Sequence, residues 1–342
     1  MATLLESTID SLTMGRGNTS CLTNTILGCG AGSSNTTGAR NTAIGAASGG
    51  SSTGSDSVSL GYKAGSVLTG GSRNVLLGSN VGTSSTGCDV VSVGQDSNNC
   101  TSNRTVGLGR KTFRTGTGAI NAVAVGTEAF CQNSSGCGVS IGFRTACGTT
   151  TGCHNVAIGA AALQHYNGSC NVAIGTNTGK YKGNYTNTTK LGYYSYHGYS
   201  NNMFTIGRGT ITSAFVYVGW TNVSDARDKT NISDLPDNLG LNFIRKLRPV
   251  SFRYDFRKHY MFECGFEFGT KDGTLKSPKT SYGFLAQEVE QAAKDLGVNF
   301  EGVDITTFDG SSTIKLEEFL SPIVKAIQEM NDELDIIEQR LI

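Results

Sequence analysis

From residue 24 to 207, apolar residues recur in pairs with a single residue between them, and a glycine closes each pair. NTILG begins at 24, NTAIG at 41, SVSLG at 57, NVLLG at 74, and NVAIG at 155 and again at 171. The closing glycines are Gly28, Gly45, Gly61, Gly78, Gly94, Gly109, Gly126, Gly142, Gly159, Gly175, Gly192 and Gly207, spaced by 15 to 17 residues. The residue before each is Leu, Ile or Val; the residue three before it is Val, Thr or Phe; the one between is mostly small, as at Ala43, Ser59, Ala157 and Ala173. This is the period-two alternation of a strand, and Asn and Gly in the same frame disfavour a helix. A further copy, VYVG, ends at Gly219.

Self-similarity at about sixteen residues predicts a narrow β-solenoid, one coil per copy. Each coil is expected to stack on the next and bury its Val, Ile and Leu positions, leaving a face of small residues. Eleven steps of about 4.8 Å predict a rod on the order of 50–55 Å long.

The vocabulary changes near residue 223. Of 46 glycines, 38 precede Ser224, whereas all four prolines follow it. Lys plus Arg outnumber Asp plus Glu by 13 to 6 before Ser224, and are outnumbered 15 to 21 from there on. Segment 241–256 predicts a short helix, a stop at Pro249 and a strand alternating Val250, Phe252, Tyr254 and Phe256. Residues 282–297 predict a strand running into a helix, and 303–320 a hairpin. A last helix from about 315 to 342 carries Leu320, Ile323, Ile327, Met330, Leu334, Ile337 and Leu341 at alternating steps of 3 and 4. That is an unbroken coiled-coil seam, narrower than the apolar face of a helix that packs on its own domain. The expected organisation is a lead-in over 1–20, a repeat stalk over 21–223 and a terminal α/β domain over 224–342.

Composition then excludes several classes. Neither half has a dense basic run, so no nucleic-acid partner is expected. No apolar stretch is long enough for a membrane helix. The amino terminus lacks the pattern of an export signal, so the ten cysteines are not expected to form a secreted disulfide scaffold. Asp56, Asp89, Asp96 and Glu128 are the acids between 21 and 223, and their separation speaks against a glycosidase carboxylate pair. Cys137, Cys153 and Cys170 recur at coil spacing without a C-x-x-C pair, which predicts a buried thiol ladder with no metal. His154, His165 and His197 are expected to be turn residues, and no cofactor is implied.

At the junction, SDARDK (224–229) gathers Ser224, Asp225, Arg227 and Lys229 into six residues. Two readings stand: a helix start capped by Ser224 with Asp225 near the dipole, or a nucleophile with its base. The remaining motifs bear on the choice. SDARDK, the L-R-P-V-x-F-x-Y segment at 247–254, GFLAQEVE at 283–290 and the I-V-K-A-I-Q-E helix at 323–329 follow one another in an order that resembles the endosialidase-type intramolecular chaperone domain. This self-cleaving serine peptidase family ends phage tail spikes and fibres, and related domains occur in large DNA viruses and in myelin regulatory factor proteins. The resemblance implies a homotrimer, Ser224 as nucleophile, Lys229 as general base, Asp225 and Arg227 in support, and Val223–Ser224 as the scissile bond. The repeats, for their part, resemble the head repeats of trimeric autotransporter adhesins, which implies a left-handed β-roll wound as three chains, with the small face suited to close approach of neighbouring chains. Together they imply a virion fibre or spike, made in the host cytoplasm, that contacts a host receptor or glycan. A permanent trimeric adhesin with a non-cleaving assembly domain is the alternative.

Overall fold

In the repeat region, twelve strands of three or four residues lie parallel and in register, one for each spaced copy, from Thr25–Leu27 to Phe204–Ile206. Thr25, Thr42 and Val58 stand opposite one another, as do Val123, Val139 and Val156. The computed structural model describes residues 6–9, 12–15, 23–50, 53–68, 70–84, 87–99, 101–115, 117–132, 137–149, 151–180, 184–195, 200–207, 211, 215, 217, 219–256, 270–305 and 312–341. Val216 and Val218 of the VYVG copy, His197 and the segment 257–269 lie outside these residues. The chain divides into two compact units, Met1–Thr212 and Ser213–Ile342.

The first unit is the expected β-solenoid, but its faces are reversed. The residue between the two apolar positions is the buried one: Ala43, Ser59, Ser92, Ala124, Ser140, Ala157 and Ala173 are at most 3% exposed. The apolar residues flanking them point outward, with Ile44, Val91, Val93, Leu108, Ile141 and Ile174 36–41% exposed. The reason is width. A coil of about sixteen residues closes on so little space that mostly Ala and Ser fit inside, so the larger side chains are left outside. The expectation that Val, Ile and Leu fill the interior, and that the small face meets neighbouring chains, is therefore corrected. Larger residues do enter the interior at some coils, among them Leu68, Leu76, Phe113, Phe130, Leu163 and Tyr166, and the Phe113 and Phe130 rings stack 5.7 Å apart.

The frame asparagine is also explained. Asn41 accepts from the Ser57 backbone N–H at 3.0 Å and donates to the Gly54 carbonyl at 2.8 Å. Asn74 repeats this with Val90 and Gly87, and Asn155 with Asn171 and Gly168. A buried amide thus satisfies two backbone groups at the turn of the next coil and its own polar atoms with them, as a buried polar group must to be stable there. The closing glycine is steric. Gly61 has φ +127°, and a Cβ on it would come 2.3 Å from the Gly78 carbonyl oxygen of the next coil. Gly61→Ala is expected to destabilise the first unit by about 3 kcal/mol or more, read as a lowered thermal midpoint of the solenoid.

Two other details depart from the sequence reading. Within the lead-in, for which the sequence predicted no elements, Glu6–Ile9 and Leu12–Gly15 form a hairpin whose second strand pairs antiparallel with Thr25–Leu27. Cys131 and Cys147, each five residues past a closing glycine, are joined by a disulfide across two coils. Stacking sets their Cα atoms 5.0 Å apart, a proximity that sequence spacing hides. Nor is the thiol ladder buried, since Cys137 and Cys153 are half-buried and Cys170 is exposed.

One interior position holds a charge. Lys190 takes the inward place of its strand, is 2% exposed, and sets its Nζ 3.5 Å from the Tyr166 hydroxyl and 5.1 Å from its ring centroid. Burial lowers its pKa from 10.5 to about 8. The unfolded chain therefore binds the extra proton between about pH 8 and 10.5, so this residue's contribution makes stability rise with pH across that window. Below pH 8 the full penalty, about 3 kcal/mol, is present. Lys190→Met is expected to raise the unfolding midpoint at pH 7, and the gap between variant and wild type is expected to close towards pH 10.

The second unit is an α/β domain. Helix α1 (Leu241–Lys246) ends before Pro249, and the strand Val250–Phe252 pairs antiparallel with Ser281–Gly283. That second strand leads into helix α2 (Ala286–Asp295). Val303–Asp304 and Thr313–Ile314 form the hairpin, and a 3₁₀ turn (Leu316–Phe319) opens helix α3 (Leu320–Leu341). Phe243, Val289 and Phe319 centre the core, with Phe284 and Phe300 packed against them. Among the described residues, no helix is long and apolar enough to cross a membrane.

Candidate active site at the junction

The segment 223–229 is an exposed, one-turn structure. Ala226–Asp228 form a 3₁₀ turn, with Asp225 as its cap and Lys229 closing it through its backbone N–H to the Ala226 carbonyl. The capping reading thus finds its residue one position later than the sequence suggested. The Asp225 carboxylate accepts the Arg227 backbone N–H at 2.9 Å, and its other oxygen receives the guanidinium Nη2 at 2.6 Å. This pairing holds the Asp225 carboxyl below the usual range and the Arg227 guanidinium above its own.

Ser224 is left free of the cap and engaged elsewhere. The Lys229 ammonium donates to the Ser224 hydroxyl at 2.6 Å. Five residues of separation and a single tight turn bring the two side chains together, with Val223 87% exposed beside them. A hydroxyl within reach of an amine, next to an accessible peptide carbonyl, has the parts needed for acyl transfer. Arg227, the positive side chain nearest Lys229 in the sequence, has its charge matched by Asp225.

The other motif segments converge within this unit. Arg248, from the 247–254 segment, donates through Nε to Glu288 of α2 at 3.0 Å, and its Nη2 bonds the same carboxylate. Glu329 of α3 accepts the Leu241 backbone N–H at the start of α1 at 2.6 Å. Lys325 pairs with Asp237 at 3.0 Å. Sequence reasoning missed one contact close to the junction: the Asn222 side-chain amide donates to Glu317 at 2.7 Å. These residues lie 95 positions apart, so only the folded domain reveals the pairing.

The solenoid's acids show no comparable arrangement. Asp56 pairs with Arg40, Asp89 with Arg73 and Glu128 with Arg144, while Asp96 accepts from Asn80. Each of the three paired carboxyls is held below its usual pKa by its arginine, the opposite of what a general acid needs.

Comparison with known proteins agrees with the C-terminal reading. The family model described as chaperone of endosialidase matches residues 224–298, so the match opens on Ser224 itself. No curated protein and no solved structure matches the chain. A β-solenoid followed by such a domain is the arrangement of a fibre or spike with a C-terminal assembly domain. The chain therefore carries, over residues 224–298, an endosialidase-type chaperone domain.

Proposed function

We propose that this is a virion fibre or spike protein that assembles as a homotrimer and whose C-terminal domain removes itself by cutting the Val223–Ser224 bond. The observation that carries the reading is the 2.6 Å contact between the Lys229 Nζ and Ser224 Oγ at the first residue of the family match. In the proposed reaction Lys229, as the neutral amine, takes the Ser224 hydroxyl proton while Oγ attacks the Val223 carbonyl carbon. The tetrahedral intermediate collapses with cleavage of the C–N bond, and the proton passes to the departing Ser224 nitrogen. Water then hydrolyses the Val223 ester and restores the hydroxyl. Lysine is a base only when uncharged, a state that burial favours. In the single chain the segment is exposed, so packing of neighbouring protomers over it would supply the burial and make cleavage conditional on assembly.

Assembly itself is supported by two apolar surfaces. One is the outward ladder of Val, Ile and Leu along the solenoid. The other is the seam of α3, where Leu320, Ile323, Ile327, Met330, Leu334, Ile337 and Leu341 are 41–82% exposed. The domain's own contacts to α3 use a different face, with Pro322 and Ala326 buried and Lys325 and Glu329 paired. Exposed apolar runs of this extent mark association surfaces, and for a fibre the occupant is another copy of the chain. Intact mass of the purified protein tests the reading. Two species ending at Val223 and starting at Ser224 are expected; a single uncut mass from a folded oligomer would favour a permanent, non-cleaving adhesin.

A further inference from the structure

One turn position, five residues before each closing glycine, forms a column along the solenoid, and its occupants interact from coil to coil. Arg40 pairs with Asp56, Arg73 with Asp89, Arg104 Nε donates to Asn121 at 2.8 Å, and Asn187 to Asn202 at 2.8 Å. Between those pairs the column reads Cys137, His154 and Cys170, and Cys153 stands beside His154. Stacking is tight here, with the His154 N–H on the Cys137 carbonyl at 2.6 Å and the Cys170 N–H on the Cys153 carbonyl at 2.9 Å. The Cys137 and Cys153 sulfurs and a ring nitrogen of His154 all lie within 4.8 Å of one another. The absence of a C-x-x-C pair, taken in the sequence as evidence against a metal, loses its force, because the coil repeat does the pairing.

We propose that Cys137, Cys153 and His154 bind one divalent metal ion of the zinc class. Two thiolates and an imidazole are the donor set that such ions select over the oxygen ligands preferred by calcium or magnesium. Bonds of about 2.3 Å to sulfur and 2.0 Å to nitrogen put the ligand atoms of a tetrahedron roughly 3.5–3.8 Å apart. A contraction of at most about 1.3 Å from the observed spacing meets that requirement. Cys137 and Cys153 are half-buried and His154 is exposed, so an ion has access and a fourth position stays open to water. Binding displaces the thiol protons and adds a second link between the two successive coils already joined by Cys131 and Cys147.

The test is a cobalt(II) titration of the full chain under reducing conditions. Sulfur-to-cobalt charge-transfer absorption with the visible bands of a tetrahedral site is expected, saturating at one ion per chain and displaced by zinc. Cys137→Ser and His154→Asn are each expected to weaken zinc binding by more than about tenfold, beyond what losing a supporting hydrogen bond costs. Cys88→Ser, a half-buried thiol elsewhere on the solenoid, is expected to leave it unchanged. Either of two results overturns the proposal: cobalt absorption that is absent or unaffected by both ligand variants, or a Cys137–Cys153 disulfide found by alkylation and mass measurement of the protein purified without reductant.

Discussion

Wild-type protein is expected to be isolated as two pieces, residues 1–223 and 224–342, and the Ser224→Ala variant as one full-length chain. The substitution removes the attacking oxygen and little else, because Ser224 is exposed and the cap of the 3₁₀ turn belongs to Asp225. Loss of a helix cap would cost about 1 kcal/mol and have no covalent consequence, so a gel under denaturing conditions separates the two roles completely. Lys229→Ala removes the partner 2.6 Å away and is expected to leave the chain uncut as well. Lys229→Arg keeps the charge and hydrogen bonding but replaces the amine with a guanidinium that stays protonated in proteins, so it too is expected to remain intact. Asp225→Asn loosens the Arg227 pair without touching either reacting group, and a slower cut at the same bond is expected. Cleavage persisting in Ser224→Ala, or a new amino terminus anywhere else, would overturn the assignment.

The solenoid was legible because a repeat fold writes its geometry into the sequence as a period. Twelve closing glycines correspond to twelve strands, and Gly61 shows why: nothing larger than hydrogen fits against the coil above it. What the period does not encode is which side of the strand faces inward. Alternation separates Ala157 from Val156 and Ile158, and burying the larger pair is the sound default for a monomer. The width of the coil overrules that default. A misreading of the same origin affected the cysteines, whose sixteen-residue spacing looks remote in a linear sequence and is adjacency in a stack. The junction was legible only through its company. SDARDK alone suits a helix cap, and the turn does contain one, on Asp225. The motif order assigned Ser224 and Lys229 to each other, and their contact follows from the turn's tightness. Asn222 and Glu317 had no signal to find, since an isolated amide and carboxylate in loops have no pattern.

The seam of α3 carries the second large expectation. Placing Asp at both Ile327 and Leu334 is expected to abolish assembly, whereas the parent protein is expected to give three chains per particle by light scattering. Both residues are more than half exposed in the single chain, so the substitutions have little reason to unfold the domain itself. In a trimer each would bring three carboxylates to one axis, and burying unpaired like charges costs several kcal/mol per layer. The experiment belongs in the Ser224→Ala background, so that assembly is read without cleavage changing the species measured. With Ser224 restored, the Asp pair is expected to suppress cutting too, because the exposed junction would lack the packing that neutralises Lys229. The solenoid is expected to suffer next: its outward Val, Ile and Leu ladder would stay in water, and long-range parallel pairing forms slowly without a template. Aggregated or protease-sensitive repeat region is the anticipated phenotype, against a resistant one in the parent. A parent chain that is monomeric at micromolar concentration, or an Asp variant that still scatters as three chains, would remove the seam from the account and leave the solenoid ladder as the remaining surface for self-association.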